Sequence, residues 1–486
     1  MEAGLPADLP RLKPRREGPR PGTGIVHLGL GAFFRAHGAL YVAEAMAASG
    51  GDWGIVGVSL KRPDQRDRLA PQDFAYTALE LAPGGEVPRI VDVLAGVLVA
   101  PEDPEAVVAL MAAPATRIVT LTVTEKGYCH EPATGRLSLT HPDIAADLTD
   151  PARPASALGF LVRALARRRA AGIKPFTVLT CDNLPHNGAM LRGLVLELAE
   201  RIDPALSRWI AAEGRFPSTM VDRIVPATSP ADLDHVARLI GCRDESPVLH
   251  EPFRQWVIED DFVGGDRPDL AACGAELVAD VAPYELMKLR CLNGTHSSLA
   301  YLGYLAGHET IADTVADPAF AAFLDRLWTE EILPGLTSPP GVDLPAYAAR
   351  LKERYANPAI RHRTWQIAMD GSQKLPQRIL GQLEEGLAAG RPMSGLILAV
   401  AAWMTYVGGT DLSGKSIDVR DPMSDRLRAL CDAADGSAAK VAALLALREI
   451  FPASLAGNTA FRTRLTEAHA GLIERGARAM VEACHA

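Results

Sequence analysis

The chain has 486 residues, a formal net charge of −9, 48% hydrophobic residues and 22% charged ones. That length holds two or three ordinary domains, and the hydrophobic share is enough to fill their cores. The acidic balance argues against nucleic acid as a partner, which wants a basic face. No apolar run reaches the roughly 18 to 20 residues that span a bilayer, so no membrane partner is expected either.

Residues 1–24 are rich in Pro and Gly, carry Arg15, Arg16 and Arg20, and lack the apolar core of a signal peptide. They read as a loose arm ahead of the first strand. The seven cysteines (Cys129, Cys181, Cys242, Cys273, Cys291, Cys431 and Cys484) are scattered, without a C-x-x-C pair. This suits a reducing cytoplasm and gives no metal-ligand spacing, so no metal is expected.

Strand-like and helix-like patterns then alternate. Residues 24–28 are a short apolar strand running into Gly29-Leu30-Gly31, and 35–49 read as a helix. Further apolar strands are read over 53–60, 89–99, 117–124 and 176–181, with a helix near 155–171. Apolar strands separated by helices imply a parallel sheet covered on both faces. From about residue 284 the strands fade and Ala- and Leu-rich helices run to the end, including a buried one over 394–405. The expectation is an α/β Rossmann-type N-terminal domain over 25–283, binding a dinucleotide, and a mostly α-helical C-terminal domain over 284–486 carrying catalysis and substrate.

Gly29-Leu30-Gly31 follows a strand and precedes a helix, the context of a dinucleotide-binding turn, although Phe34 stands where a third glycine would complete the fingerprint. Arg35 reads equally well as a phosphate ligand or an exposed helix-start residue. Asp64 is the candidate ribose carboxylate, farther from the glycines than the usual rough 20 residues. Lys61 and Arg62 beside it leave room for a 2′-phosphate, so NAD is expected with NADP still open.

The densest chemistry lies in Lys288-Leu-Arg-Cys-Leu-Asn-Gly-Thr-His296. On a helix turning about 100° per residue, with Lys288 at zero, Glu285 falls near about 60°, His296 near about 80° and Asn293 near about 140°. A base, an amide and an imidazole on one side suit alcohol oxidation, which needs a proton acceptor and donors for the emerging carbonyl oxygen. A partly solvated helix face reads about as well from this stretch alone. The stretch sits at the expected domain junction, a common place for small-molecule sites.

Three more blocks stand out: Thr122–Tyr128, Cys181-Asp-Asn-Leu-Pro-His-Asn-Gly188 and Arg361-His-Arg-Thr-Trp-Gln-Ile-Ala-Met-Asp-Gly-Ser-Gln-Lys374. With the glycine turn, Met220–Pro226, Glu251–Glu259 and the Lys-x4-Asn-x2-His helix, they make the chain, from about 24 to 480, resemble the polyol-specific long-chain dehydrogenases, the mannitol dehydrogenase family. The resemblance implies NAD(P)-dependent oxidation of a secondary alcohol without zinc, by a monomer. It implies Lys288 as general base, Asn183 and Asn293 as the amides on the oxyanion, His296 as a substrate contact and Glu285 as a carboxylate linked to proton exchange. Cofactor contacts are expected from Val26, His27, Leu28, Gly29, Leu30, Gly31, Ala32, Phe33, Phe34, Arg35, Asp64, Glu125 and Asp222. Within the family, residues 361–378 are similar to the branch that interconverts D-mannonate and D-fructuronate, whereas Leu184–Gly188 is similar to the mannitol enzymes. An aldonate site needs a cation that a polyol site does not, and Arg361, Arg363 and Lys374 are the candidates. A mannitol, arabinitol or sorbitol 2-dehydrogenase is the alternative.

Overall fold

The computed structural model describes residues 8–484 apart from 17, 132 and 133. The chain divides into two compact units, Met1–Ala282 and Pro283–Ala486. In chain order, the strands among the described residues are β1 (Thr23–Leu28), β2 (Gly54–Ser59), β3 (Tyr76–Ala82), β4 (Gly85–Val91), β5 (Leu94–Val99), β6 (Ile118–Leu121), β7 (Thr177–Thr180), β8 (Thr219–Asp222), β9 (Val248–His250), β10 (Gln255–Glu259) and β11 (Glu276–Val278).

Five of them form an all-parallel sheet in the order β5-β2-β1-β6-β7. Both faces of a parallel sheet need covering, and successive side chains point to opposite faces. Val26, Leu28, Val119, Leu121 and Val178 accordingly pack into one core, while Ile25, Ile55, Ile118 and Leu179 pack into a second core across the sheet. This is the Rossmann-type arrangement expected, with the strand order reversing between β1 and β6, where a dinucleotide binds. Two three-stranded sheets, β11-β10-β8 and β4-β3-β9, complete the unit.

The single strand read over 89–99 is two strands. β4 pairs antiparallel with β3, while β5 joins β2 in the parallel sheet. The chain breaks at Asp92, whose carboxylate accepts the backbone N–H groups of Arg15 (3.0 Å) and Arg16 (2.8 Å). That contact also corrects the reading of the N-terminal arm. In its described part, Leu12 is buried and its N–H donates to the carbonyl of Arg243 (2.8 Å), the Arg243 N–H donates to the carbonyl of Pro10 (2.7 Å), and Arg16 and Arg20 both pair with Asp73. The arm is strapped down because its backbone donors and its arginines find acceptors on the unit's surface.

Every regular element among the second unit's described residues is a helix, with two isolated bridges between its loops. The apolar stretch read as a buried helix is its central element: in Ser394–Val407 every residue after the first is buried. It lies in one large core with Leu299, Tyr301, Phe320, Trp328, Phe461 and Leu465. The helix read near 460–484 is broken at Gly476, where φ is +83°, into Thr459–Arg475 and Ala477–Ala483. No helix among the described residues is long and apolar enough to cross a membrane.

The entry into β6 and β7 depends on one buried cation. Arg168 is 1% exposed, and its guanidinium donates to the carbonyls of Lys174 (2.6 Å), Thr116 (2.7 Å), Ala113 (3.1 Å) and Met111 (3.2 Å). Burial pulls its pKa down to about 10, so it remains charged at neutral pH. Removing it takes a donor from each of those carbonyls, of which Ala113 still accepts the Thr116 N–H (3.1 Å). Arg168→Met is expected to lower the unfolding free energy by about 2 to 4 kcal/mol in a urea titration. A variant within about 0.5 kcal/mol of wild type would show that the carbonyls do not depend on it.

Candidate functional site

In the first unit, β1 ends in the turn at Gly29, where φ is +87°. A Cβ there would stand 2.2 Å from the carbonyl oxygen of Thr122, so only glycine lets the ends of β1 and β6 close together. A Cβ on Gly31 would meet nothing nearer than the Gly29 carbonyl oxygen at 3.8 Å, leaving open space over the turn. Helix α1 (Ala32–Ala36) starts at Gly31 without a side-chain cap. Unfilled space above uncapped N–H groups fits a pyrophosphate.

Beneath the turn, His27 is fully buried. Its Nδ1 lies 2.7 Å from Thr120 Oγ1, its Nε2 lies 2.9 Å from Thr122 Oγ1, and its ring stacks on Phe34 with 3.4 Å between centroids. Burial pushes its pKa down to about 3, so the ring is neutral. The side chains of Val26, Leu28, Leu30 and Phe34 are likewise buried in the unit's cores. This leaves Gly29, Gly31, Ala32 and Phe33 as the surface of the turn. Arg35 is neither a phosphate ligand nor an exposed helix-start residue. It is 5% exposed, donates from Nη1 to the Ser246 carbonyl (2.5 Å) and lies over the Tyr76 ring, whose hydroxyl donates to the Arg35 carbonyl (2.6 Å). Asp64 is exposed at the start of helix Asp64–Leu69, Glu125 is exposed in helix Thr124–Gly127, and Asp222 is buried at the end of β8.

The block after β7 is fixed by two side chains. The Asp182 carboxylate accepts the N–H groups of Val123 (2.8 Å) and Thr124 (3.0 Å) and the Tyr128 hydroxyl (2.7 Å), tying the β7 end to the β6 end. Burial raises its pKa, against these donors. The Asn187 amide donates to the carbonyls of Asp182 (2.9 Å) and Thr219 (2.8 Å) and accepts the Thr219 N–H (3.0 Å). Asn183 lies between these anchors and is exposed. In the same unit, Cys129, His141 and Asp143 have ligand-type atoms within 4.8 Å of one another. His141 Nδ1 accepts the Asp143 N–H (3.3 Å) and burial pushes the Cys129 thiol up to about 11, so the trio serves as a helix start beside a protonated thiol.

In the second unit, Lys288–His296 is not one α-helix. Helix Ala282–Lys288 gives way to a π-helical turn at Leu289–Gly294, and helix Thr295–Leu305 resumes beyond it. A wider turn shifts every later residue around the axis, so the angles expected from a regular helix do not carry across it. Side chains add donors to two of its carbonyls, and that of Leu292 also takes the Thr295 backbone N–H. Trp328 Nε1 (3.0 Å) and Thr295 Oγ1 (2.6 Å) donate to the Cys291 carbonyl, and the Tyr355 hydroxyl donates to that of Leu292 (2.8 Å). The turn is also pressed closely: a Cβ on Gly294 would stand 2.8 Å from the Arg378 carbonyl oxygen.

Lys288, Asn293 and His296 are all buried here, 7%, 6% and 6% exposed, and Glu285 is half-buried. His296 stacks on Tyr355 (5.2 Å between centroids) and meets the edge of His362 at 4.9 Å. Asn293 Nδ2, His296 Nε2 and His362 Nδ1 are buried and have no hydrogen-bond partner among the described residues. Each such atom costs about 1 to 3 kcal/mol, and a polyhydroxylated ligand would satisfy all three.

Burial holds His296 well below its ordinary pKa, reinforced by His362, Arg378, Arg354 and Lys374. Burial and Lys374 bring His362 down to about 4. Of the three cations expected to meet a carboxylate, Arg361 and Arg363 are exposed, with Arg363 3.5 Å from Glu309. Lys374 is half-buried, pinned by the carbonyls of Met369 (2.6 Å) and Ile367 (3.4 Å). Arg378 reaches Ser297 Oγ at 3.2 Å. Tyr355, His362, Arg354 and Arg378 were not singled out from sequence. His362 and Arg378 stood inside the 361–378 block without a spacing that marks them, and Tyr355 closes an ordinary amphipathic helix.

Residues 23–272 match the family model described as the mannitol dehydrogenase Rossmann domain, and residues 280–473 match the mannitol dehydrogenase C-terminal domain. The D-mannonate oxidoreductase of Escherichia coli (strain K12) is 47% identical over 99% of this chain and 100% of that protein. A mannitol 2-dehydrogenase of Aspergillus terreus is 41% identical over 93% of this chain and 91% of its own. Among solved structures, the Pseudomonas fluorescens mannitol 2-dehydrogenase, in ternary complex with NAD and D-mannitol, matches with a TM-score of 0.87 at 37% identity. The match covers 95% of this chain and 94% of that one.

Two outcomes follow from the geometry. Tyr355→Phe removes one of the donors to the Leu292 carbonyl and is expected to lower kcat roughly tenfold while costing about 1 kcal/mol of stability. NADH affinity, read by fluorescence, should stay unchanged, and an unaltered kcat would release the turn from any role. The second concerns acid. His27 is neutral when folded, with a pKa of about 3, whereas the unfolded chain takes up this proton below about pH 6.5. Stability is therefore lost as pH falls from about 6.5 toward 3, by up to about 1.4 kcal/mol per pH unit from this one group. His27→Asn should flatten the fall of the urea midpoint between pH 6.5 and 4.5, and an unchanged slope would refute the assignment.

Proposed function

Because the chain belongs to the mannitol dehydrogenase family, and so is an NAD-dependent oxidoreductase acting on a sugar acid or polyol, we propose that its substrate pair is D-mannonate and D-fructuronate. The observation that carries this reading is the sign of the charge around His296. After its own burial, the groups that hold its pKa down are His362 and then the cations Arg378, Arg354 and Lys374. An aldonate brings one carboxylate that such cations can bind, whereas a polyol brings none. The 47% identity with a D-mannonate oxidoreductase over essentially the whole chain supports the same reading. The role first expected of Arg361, Arg363 or Lys374 falls to Lys374, with Arg378 beside it, since Arg361 and Arg363 face solvent.

In this reading Lys288 accepts the proton of the substrate hydroxyl at Nζ. Lysine can do so near neutral pH where its surroundings disfavour the charged form, and no metal is needed if neutral amides carry the developing negative charge. Asn293 supplies one amide, with Nδ2 still unpartnered, and Asn183 on the exposed loop after β7 supplies the other. NAD, when bound at the Gly29–Phe33 turn, supplies the hydride acceptor. His296 positions the substrate and Glu285 is the carboxylate through which the proton leaves. The reading also takes the enzyme as a cytoplasmic monomer, with its seven cysteines as free thiols.

Steady-state kinetics test this directly. The expected result is a kcat/KM for D-mannonate with NAD at least about a hundredfold above that for D-mannitol, the scale of one charge-assisted hydrogen-bonded pair. Equal or better turnover of the uncharged polyol would overturn the aldonate assignment. Lys288→Ala is expected to lower kcat by about a hundredfold or more with NADH binding preserved, and near-normal turnover with an unchanged pH profile would remove Lys288 from the mechanism.

A further inference from the structure

His362 lies in the loop before helix Thr364–Ala368, and its backbone is strapped to residues 308–311. The Ile311 N–H donates to the His362 carbonyl (3.1 Å), the Thr364 N–H donates to the Glu309 carbonyl (3.0 Å), and Thr364 Oγ1 donates to the His308 carbonyl (3.0 Å). Thr310 and Arg363 form a backbone bridge. A loop held on both sides presents its side chain in a fixed direction. That direction is inward, with the ring edge against His296 at 4.9 Å. Nδ1 of His362 and Nε2 of His296 are both buried and both lack a partner among the described residues. Two adjoining rings that each keep a buried nitrogen without a partner are placed to receive a polar ligand. Lys374 acts together with burial to hold the His362 ring below its ordinary pKa. Position, orphaned nitrogen and neighbouring ammonium therefore coincide at one end of the His296 surround.

We propose that His362 is a specificity-determining residue that donates a hydrogen bond from Nδ1 to the carboxylate of the sugar acid, while Lys374 supplies the balancing charge. This rests on the reading of the substrate as an aldonate. The neutral ring fixes the direction of the carboxylate, which a flexible ammonium by itself does not.

The test compares two substitutions in the full-length enzyme. His362→Phe keeps a ring against His296 but removes the donor, whereas His362→Asn places an amide nitrogen at about the distance of Nδ1 from the backbone and removes the ring. The expected result is a KM for D-mannonate raised at least about tenfold by His362→Phe, with kcat changed less and NADH affinity unchanged. His362→Asn should recover most of that loss, and the KM for D-mannitol should stay within about twofold in both variants. A ring that only packs gives the opposite order, with Phe tolerated and Asn impaired, and overturns the proposal. So do equal losses in both variants, wild-type behaviour of both, or the same rise in KM on D-mannitol. The aldonate reading fails separately, by the wild-type enzyme preferring the polyol. The order of the two variants is then still read on whichever substrate turns over.

Discussion

The interaction on which the second unit's chemistry depends is the capture of two main-chain carbonyls. Cys291 and Leu292 lie in the π turn, and their oxygens are held by Thr295, Trp328 and Tyr355. A buried carbonyl needs donors, and in this widened turn side chains supplement the backbone, the Leu292 oxygen also taking the Thr295 N–H. All three donors belong to the same large core as Leu299 and Trp403 or hydrogen-bond within it. The packing of the unit thus sets the turn, and the turn sets the angles between Lys288 before it, Asn293 within it and His296 beyond it. Tyr355 has a second task, since its ring also stacks on His296. One residue couples the backbone geometry to the orientation of the imidazole.

The first unit solves a parallel problem with different groups. Its strands end in loops whose backbone polar groups have no neighbours in the sheet, and buried side chains supply them. Asp182 joins the loop after β6 to the loop after β7, and Asn187 joins the latter to β8. His27 and Thr122 brace the glycine turn from beneath, with Thr122 Oγ1 donating to the Gly29 carbonyl at 2.9 Å. Every one of these side chains is neutral or fully hydrogen-bonded, which suits a low-dielectric interior where unpaired charge is expensive.

Much of this was legible in the sequence because burial leaves a compositional trace. The apolar runs of β1, β2, β6 and β7 are short, continuous and bounded by turn residues, and the run at 394–405 is too long for a strand and too short for a bilayer. What escaped had no such trace. The run 89–99 is uniformly strand-like, and only the tertiary pairing of Asp92 with the N-terminal arm divides it. β9 and β11 are three residues long, below the length at which alternation can be counted. Arg35 stands beside the glycine turn as a phosphate ligand would, but its direction is decided by Ser246 and Tyr76, far away in sequence. A linear pattern also states which charges exist without stating which way they point. Arg361, Arg363, Lys374 and Arg378 are equivalent in the sequence, and only folding sends two outward and leaves the other two acting on His296.

The neutrality of His296 and His362 follows from that same distribution. Burial alone disfavours an imidazolium, and three neighbouring cations disfavour it further. A neutral imidazole keeps one nitrogen as donor and one as acceptor, so it can meet either partner of a hydroxyl–carbonyl pair. Were His296 charged, both ring nitrogens would be donors and the acceptor would be lost. Burial and the neighbouring cations therefore keep both rings able to donate at one nitrogen and accept at the other, while the positive charge stays on Lys374 and the arginines.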